Sequence, residues 1–259
     1  QPAVAMSPTG DLITAWQGNG PGDNAGVFMQ LDRGIAWTRE DTNLVFGTGN
    51  GNALSVADID AGAGPVQATL SVTDGVVTLA GSAGLAFSAG DGSADATMTF
   101  TGTVAAINSA LNGLTYTPAP NFNGRATLSL SVDDQGNTGL GGALADSKST
   151  TISVIAVNDA PAGTGGTMTV IQNTAYIFSA GDFGFTDPVD APADALLAVR
   201  LTTLPGAGGL ANNGVAVTAG QFVTLADINA GKLAFTPAVN AVGAAYAQFT
   251  FQVKDDGGI

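Results

Sequence analysis

The feature that most constrains this chain is an internal repeat. GLTYTPAPNFNG (113–124) aligns with KLAFTPAVNAVG (232–243) at an offset of 119, with six of twelve positions identical and Tyr116 replaced by Phe235. Upstream, TVAAIN (103–108) matches TLADIN (224–229) at an offset of 121. Downstream, Val132, Asp134 and Gly136 match Val253, Asp255 and Gly257, again at 121. Three blocks in one order at nearly the same spacing mean two copies of a module of about 120 residues. The 259 residues therefore divide between two cores, each within the size range of an independent domain.

Each module reads as β-structure. LSVADID (54–60), ATLSVTDG (68–75), ATMTFTGTV (96–104), ATLSLSVDD (126–134) and TTISVIAV (150–157) alternate apolar and polar residues, and clusters of Gly, Asn and Asp separate them. In ATMTFTGTV the alternation turns Met98, Phe100 and Val104 toward a core and the threonines outward. Two short helices are expected. One lies in 104–113, stopped by Asn112-Gly113; the other lies in 224–231, with Thr224 and Asp227 as a capping box and Gly231 at its end. This pattern predicts an all-β protein built as two tandem Greek-key β-sandwiches. Residues 1–33 read as a short N-terminal β-hairpin extension, residues 34–158 as the first module and residues 159–259 as the second. VNDAP (157–161), where Pro161 favours extended backbone, marks the junction. The second module ends soon after Asp255, so a partner to its last strand is expected from elsewhere: from a longer chain, or from the N-terminal segment of another copy, which would propagate head-to-tail into a filament.

Composition narrows the chemistry. The chain has no Cys and no His, which removes thiol and imidazole catalysis and Cys/His metal sites. Seven Lys and Arg against 21 acids give a net charge of −14, a poor surface for nucleic acid or anionic lipid. No stretch reaches the roughly 18 apolar residues of a membrane span. Glu40 is the one Glu beside 20 Asp. A short carboxylate suits turns that bond their own amides, and it equally suits loops that hold a hard cation.

The blocks Glu40-Asp41-Thr42, GNALSVADID (51–60), LNGLTYTPAPNFNG (111–124), SVDDQGNTG (131–139) and VNDAP (157–161) resemble the cadherin-like, immunoglobulin-type repeats of giant bacterial surface proteins and adhesins. The second module is similar to the related chondroitin-sulfate-proteoglycan type, through FTDPVDAPADALLAVRLTTLP (185–205), ADINAGKLAFTPA (226–238) and FQVKDDGG (251–258). The resemblance implies Ca2+ at module ends, held by carboxylates from several loops. Carried over, it assigns Asp58, Asp60 and Asp134 in module one and Asp187, Asp190 and Asp255 in module two. Glu40 takes the single Glu place, and Asn158 and Asp159 the linker. Ala156 and Ala160 replace two of the acids or amides of that linker pattern, which implies weaker binding.

The resulting expectation is a non-enzymatic, extracellular, calcium-stiffened rod segment of a bacterial surface protein. Its partners would be neighbouring modules or copies of the same chain, or a cell-surface glycan. The alternative is a carbohydrate-binding accessory module of a secreted protein, with Trp16 and Trp37 as stacking faces; exposure of that pair is the discriminating observation.

Overall fold

In a computed structural model of the chain, the described residues are 3–6, 12–15, 27–31, 36–58, 61–136 and 143–257, those before 36 as backbone only. Asp60 and Trp16, both singled out above, lie outside them. The chain forms two compact units, residues 1–156 and 157–259, and both are β-structure.

The first unit contains β1 (Ala3–Met6), β2 (Leu12–Ala15), β3 (Val27–Leu31), β4 (Ala36–Arg39), β5 (Leu44–Phe46), β6 (Leu54–Asp58) and β7 (Pro65–Val72). After these come β8 (Gly75–Thr78), β9 (Leu85–Ala89), β10 (Thr97–Thr103), α1 (Val104–Leu111), β11 (Leu114–Pro118), β12 (Gly124–Asp133) and β13 (Ala145–Ile155). The larger sheet has the order β4-β13-β12-β7-β10-β9, and the smaller β5-β11-β8. The two sheets bury a shared apolar core. Met98, Phe100, Leu70, Leu128, Leu130 and Val132 enter it from the first sheet and Val77, Leu114 and Tyr116 from the second. β10 shows the expected alternation: Met98 and Phe100 are buried, while the hydroxyl of Thr99 meets that of Thr69 across the strand pair at 3.1 Å. In the N-terminal segment β1 and β2 pair with Val4 opposite Thr14 and Met6 opposite Leu12, and β3 pairs with β6. That segment therefore contributes a strand to the first unit.

The second unit contains β14 (Tyr176–Ile177), β15 (Leu196–Leu201), β16 (Gly209–Asn212), β17 (Val215–Ala216), β18 (Phe222–Thr224), α2 (Leu225–Asn229), β19 (Leu233–Thr236) and β20 (Phe251–Asp255). Its sheets are β14-β19-β16-β17 and β18-β15-β20. The central ladders repeat those of the first unit, with β18-β15-β20 matching β10-β7-β12 and β14-β19-β16 matching β5-β11-β8. The aromatic of the repeat sits on an inner strand, in the three-stranded sheet of the first unit and the four-stranded sheet of the second. Tyr116 lies between Leu44 and Val77, and Phe235 between Tyr176 and Leu210. In both units the ring covers a glycine of the next strand segment. A Cβ on Gly75 would come within 2.5 Å of the Tyr116 ring, and one on Gly208 within 2.7 Å of the Phe235 ring. Bare glycine backbone gives each ring a flat seat.

The two helices begin alike. The Thr103 hydroxyl accepts from Ala106 N at 3.2 Å, and the Thr224 hydroxyl accepts from Asp227 N at 3.1 Å, each satisfying a first-turn amide. The Asp227 carboxylate accepts from Lys232 Nζ at 2.7 Å and Asn212 Nδ2 at 3.1 Å, which ties α2 to the strands around it. Thr224→Ala should destabilise the second unit by about 1 kcal/mol in denaturant unfolding. An unchanged midpoint would mean that the α2 cap contributes nothing.

Candidate metal centre in the second unit

The loop from Asp187 to Ala195 carries three Asp residues between two fixed points. At its start, Thr186 and Ala162 exchange backbone hydrogen bonds of 2.8 Å in both directions. At its end, Asp256 accepts from Ala195 N at 2.7 Å and donates its own N–H to Ala195 O at 3.0 Å. Between these clamps the loop folds so that one carboxylate oxygen each from Asp187, Asp190 and Asp194 lies within 4.8 Å of the others. A second segment joins them, because Asp159 N donates to both oxygens of Asp190, at 3.1 and 3.2 Å.

Asp187 is the informative member. It is 7% exposed, and no hydrogen-bond donor among the described residues reaches either of its carboxylate oxygens. A buried anion without a donor costs far more than one on the surface, so such a group calls for a cation. Asn158 repeats the pattern: its Nδ2 donates to Asp159 O at 3.1 Å, while its Oδ1 is buried with no donor. The Oδ1 of Asn158 and an oxygen of Asp194 both converge on Gly257, where an added Cβ would collide with them. The Asp194 carboxyl is held above its ordinary value, first by loss of solvation and then by the carboxylates of Asp190, Asp187, Asp256 and Asp255. Among the described residues, this arrangement gathers oxygens from 158 and 187–194 of one unit, beside the backbone of Gly257. All are hard donors from separate chain segments, which is the donor set a calcium-sized cation takes.

The acids assigned from sequence therefore separate. Asn158, Asp159, Asp187 and Asp190 lie in or beside the cluster, and Asp255 is buried at the end of β20, close enough to Asp194 to repel its charge. Asp194 was not singled out in the sequence, although the spacing of 187, 190 and 194 within one loop is visible there. In the first unit, Asp58 and Asp134 hold their own loops. Asp58 Oδ1 accepts from Ala61 N at 2.9 Å, and Asp134 Oδ1 accepts from Gly136 N and Leu144 N, both at 2.8 Å. Glu40 follows β4, and its N–H donates to Ile155 O at 3.0 Å. Among the described residues, no three acids of the first unit alone approach one another as the three of the loop do.

For sugar stacking, Trp37 stands 58% exposed on β4, while Tyr116 is fully buried and donates its hydroxyl to Asp74 O at 2.8 Å. Trp37 is the member of the tryptophan pair that the described residues include, and Trp16 lies outside them. No known protein family matches the chain, and no curated protein matches it. No helix among the described residues is long and apolar enough to cross a membrane.

Proposed function

We propose that the second unit binds calcium through Asp187, Asp190 and Asp194, with Asn158 alongside. In this reading the chain is an extracellular structural or adhesive segment whose incoming strand is stiffened by the ion. The observation that carries the proposal is the donor-free, buried carboxylate of Asp187 among like charges. A divalent cation would neutralise that repulsion and draw the 187–195 loop and the 158–159 segment together. Ordering the segment through which the chain enters a module is what converts a tandem array into a rod. In this reading the acids act as ligands rather than as catalysts.

Thermal unfolding with calcium, magnesium or chelator tests this. Extracellular calcium modules bind in about the 10⁻⁴ to 10⁻³ M range. At 10 mM calcium, mass action then adds about 1.4–2.7 kcal/mol. For a unit of this size that raises the melting temperature by roughly 5–15 °C, with magnesium well behind. Identical transitions in calcium and chelator would sink the proposal.

A further inference from the structure

Charge is unevenly spread over the first unit. The chain holds 21 acids and seven cations, yet residues 36–39, 125–131 and 147–155 contain no acid and three of the cations, Arg39, Arg125 and Lys148. These segments belong to β4, β12 and β13, three neighbouring strands of the larger sheet. Register lines up their outer faces: Arg125 pairs with Ser153, and Ser153 pairs with Trp37. Partners across a ladder share a face, so Trp37 and Arg125 flank Ser153 on the side away from the core that Ile152 and Val154 enter. The next rows along the strands add Arg39 beside Ile155 on one side and Thr127 beside Thr151 on the other. With strands about 4.8 Å apart and same-face residues about 6.7 Å apart, the three rows cover roughly 10 by 13 Å. Trp37 is 58% exposed there, and Arg39, Arg125, Thr127 and Thr151 are exposed as well. Among the described residues neither guanidinium makes a hydrogen bond or an ion pair, whereas Lys148 meets Asp146 at 3.4 Å and Lys232 meets Asp227 at 2.7 Å.

We propose that this outer face of β4, β13 and β12 binds a glycan bearing uronic-acid carboxylates. The Trp37 indole offers a flat, amphipathic platform on which the C–H face of a sugar ring stacks. Arg39 lies along the strand from it and Arg125 across the sheet, and a guanidinium fork takes a carboxylate bidentately. The hydroxyls of Thr127, Thr151 and Ser153 exchange hydrogen bonds with those of the sugar. Three observations select this occupant. Two unpaired arginines on an acid-free face, in a chain of net charge −14, mark the place where an anion is complementary. The neighbours of the ring in these rows are Ser, Thr and Arg, with Ile155 as the one large aliphatic side chain, so the apolar core that a protein partner or a lipid surface requires is missing. The carboxylates of such a glycan come at most one to a sugar, and the remaining charge of the protein is screened beyond about 8 Å at physiological ionic strength. Short-range attraction to the two arginines then decides, as it cannot against the dense phosphates of nucleic acid. This proposal stands independently of calcium.

The test is titration calorimetry of the full chain with tetragalacturonate, tetraguluronate and a hyaluronan hexasaccharide. Chelator is present throughout, so that no calcium bridges protein and glycan and failure here leaves the calcium reading untouched. At least one of these probes should bind saturably. Its methyl ester, which removes the carboxylate charge and leaves the protein unaltered, should bind at least tenfold more weakly. Trp37→Ala should weaken binding of the free acid at least tenfold, and Arg39→Gln with Arg125→Gln should erase the preference for the acid over its ester. All three positions are exposed, so the thermal midpoint of the first unit should stay in place. Absence of saturable binding by every uronate probe, equal binding of acid and ester, or undiminished binding by the Trp37→Ala chain would each overturn the proposal. Capture by phosphatidylserine vesicles that the oligosaccharide fails to compete away would overturn it as well, since the face would then have a different occupant.

Discussion

Replacing Asp187 by Asn should raise the melting temperature of the second unit in chelator and abolish most of the gain from calcium. The side chain is buried, no donor among the described residues reaches its oxygens, and Asp190 and Asp194 face it within 4.8 Å. Without a cation, its charge opposes folding. The amide removes that charge while keeping the shape, and relief of about 1–2 kcal/mol corresponds to roughly 5–15 °C for a unit of this size. Calcium acts the other way: the variant lacks a charged ligand, and its affinity should fall by on the order of 100-fold. The crossing of the two effects is diagnostic, because a residue that merely capped a turn would lose stability in both conditions. Calorimetry of wild type and variant, each in chelator and in 10 mM calcium, reads all four states. A variant less stable than wild type in chelator would show that the carboxylate is held by protein donors and is no cation ligand.

Phe235→Ala should cost the second unit about 3–5 kcal/mol, and Tyr116→Ala a comparable amount in the first. Both rings are buried on inner strands, Tyr116 on β11 and Phe235 on β19, and each covers a glycine that has no side chain of its own to fill the space. Phe235 also packs against Tyr246, with ring centroids 6.4 Å apart. Tyr116 carries an additional hydrogen bond to Asp74 O, and burial, followed by the nearby Asp74 charge, pushes its hydroxyl pKa up to about 12. Tyr116→Phe should therefore cost only about 1 kcal/mol, separating the hydroxyl from the ring. Equilibrium unfolding in urea, followed separately for the two transitions, measures these costs. A loss below about 1 kcal/mol for Phe235→Ala would mean that the repeated aromatic does not anchor both cores alike.

Local pattern made much of this fold legible. Alternation in 96–104 places Met98 and Phe100 inside, and a Thr followed by a short apolar run starts each helix, as Thr103 and Thr224 do. These features depend on residues two to four apart, whose geometry the backbone dictates whatever the rest of the chain does. The matched blocks likewise announced two copies, and their ladders share one order.

The fate of each aspartate was not legible. Asp134 and Asp187 look equivalent as acids in Gly-, Pro- and Asp-rich loops. In the structure, the amides of Gly136 and Leu144 return to Asp134, and among the described residues no donor returns to Asp187. Asp194 enters the cluster because two distant clamps, Ala162 with Thr186 and Ala195 with Asp256, set the path of the loop between them. Likewise the alternating pattern marks β20 as a strand, but only sheet order shows that β15 is its neighbour. The sequence by itself determined what each segment is: strand, helix start, turn or acid. Tertiary structure alone decided which carboxylates find donors and which strands become neighbours, because hydrogen-bond donors and strand neighbours arrive from residues tens of positions away.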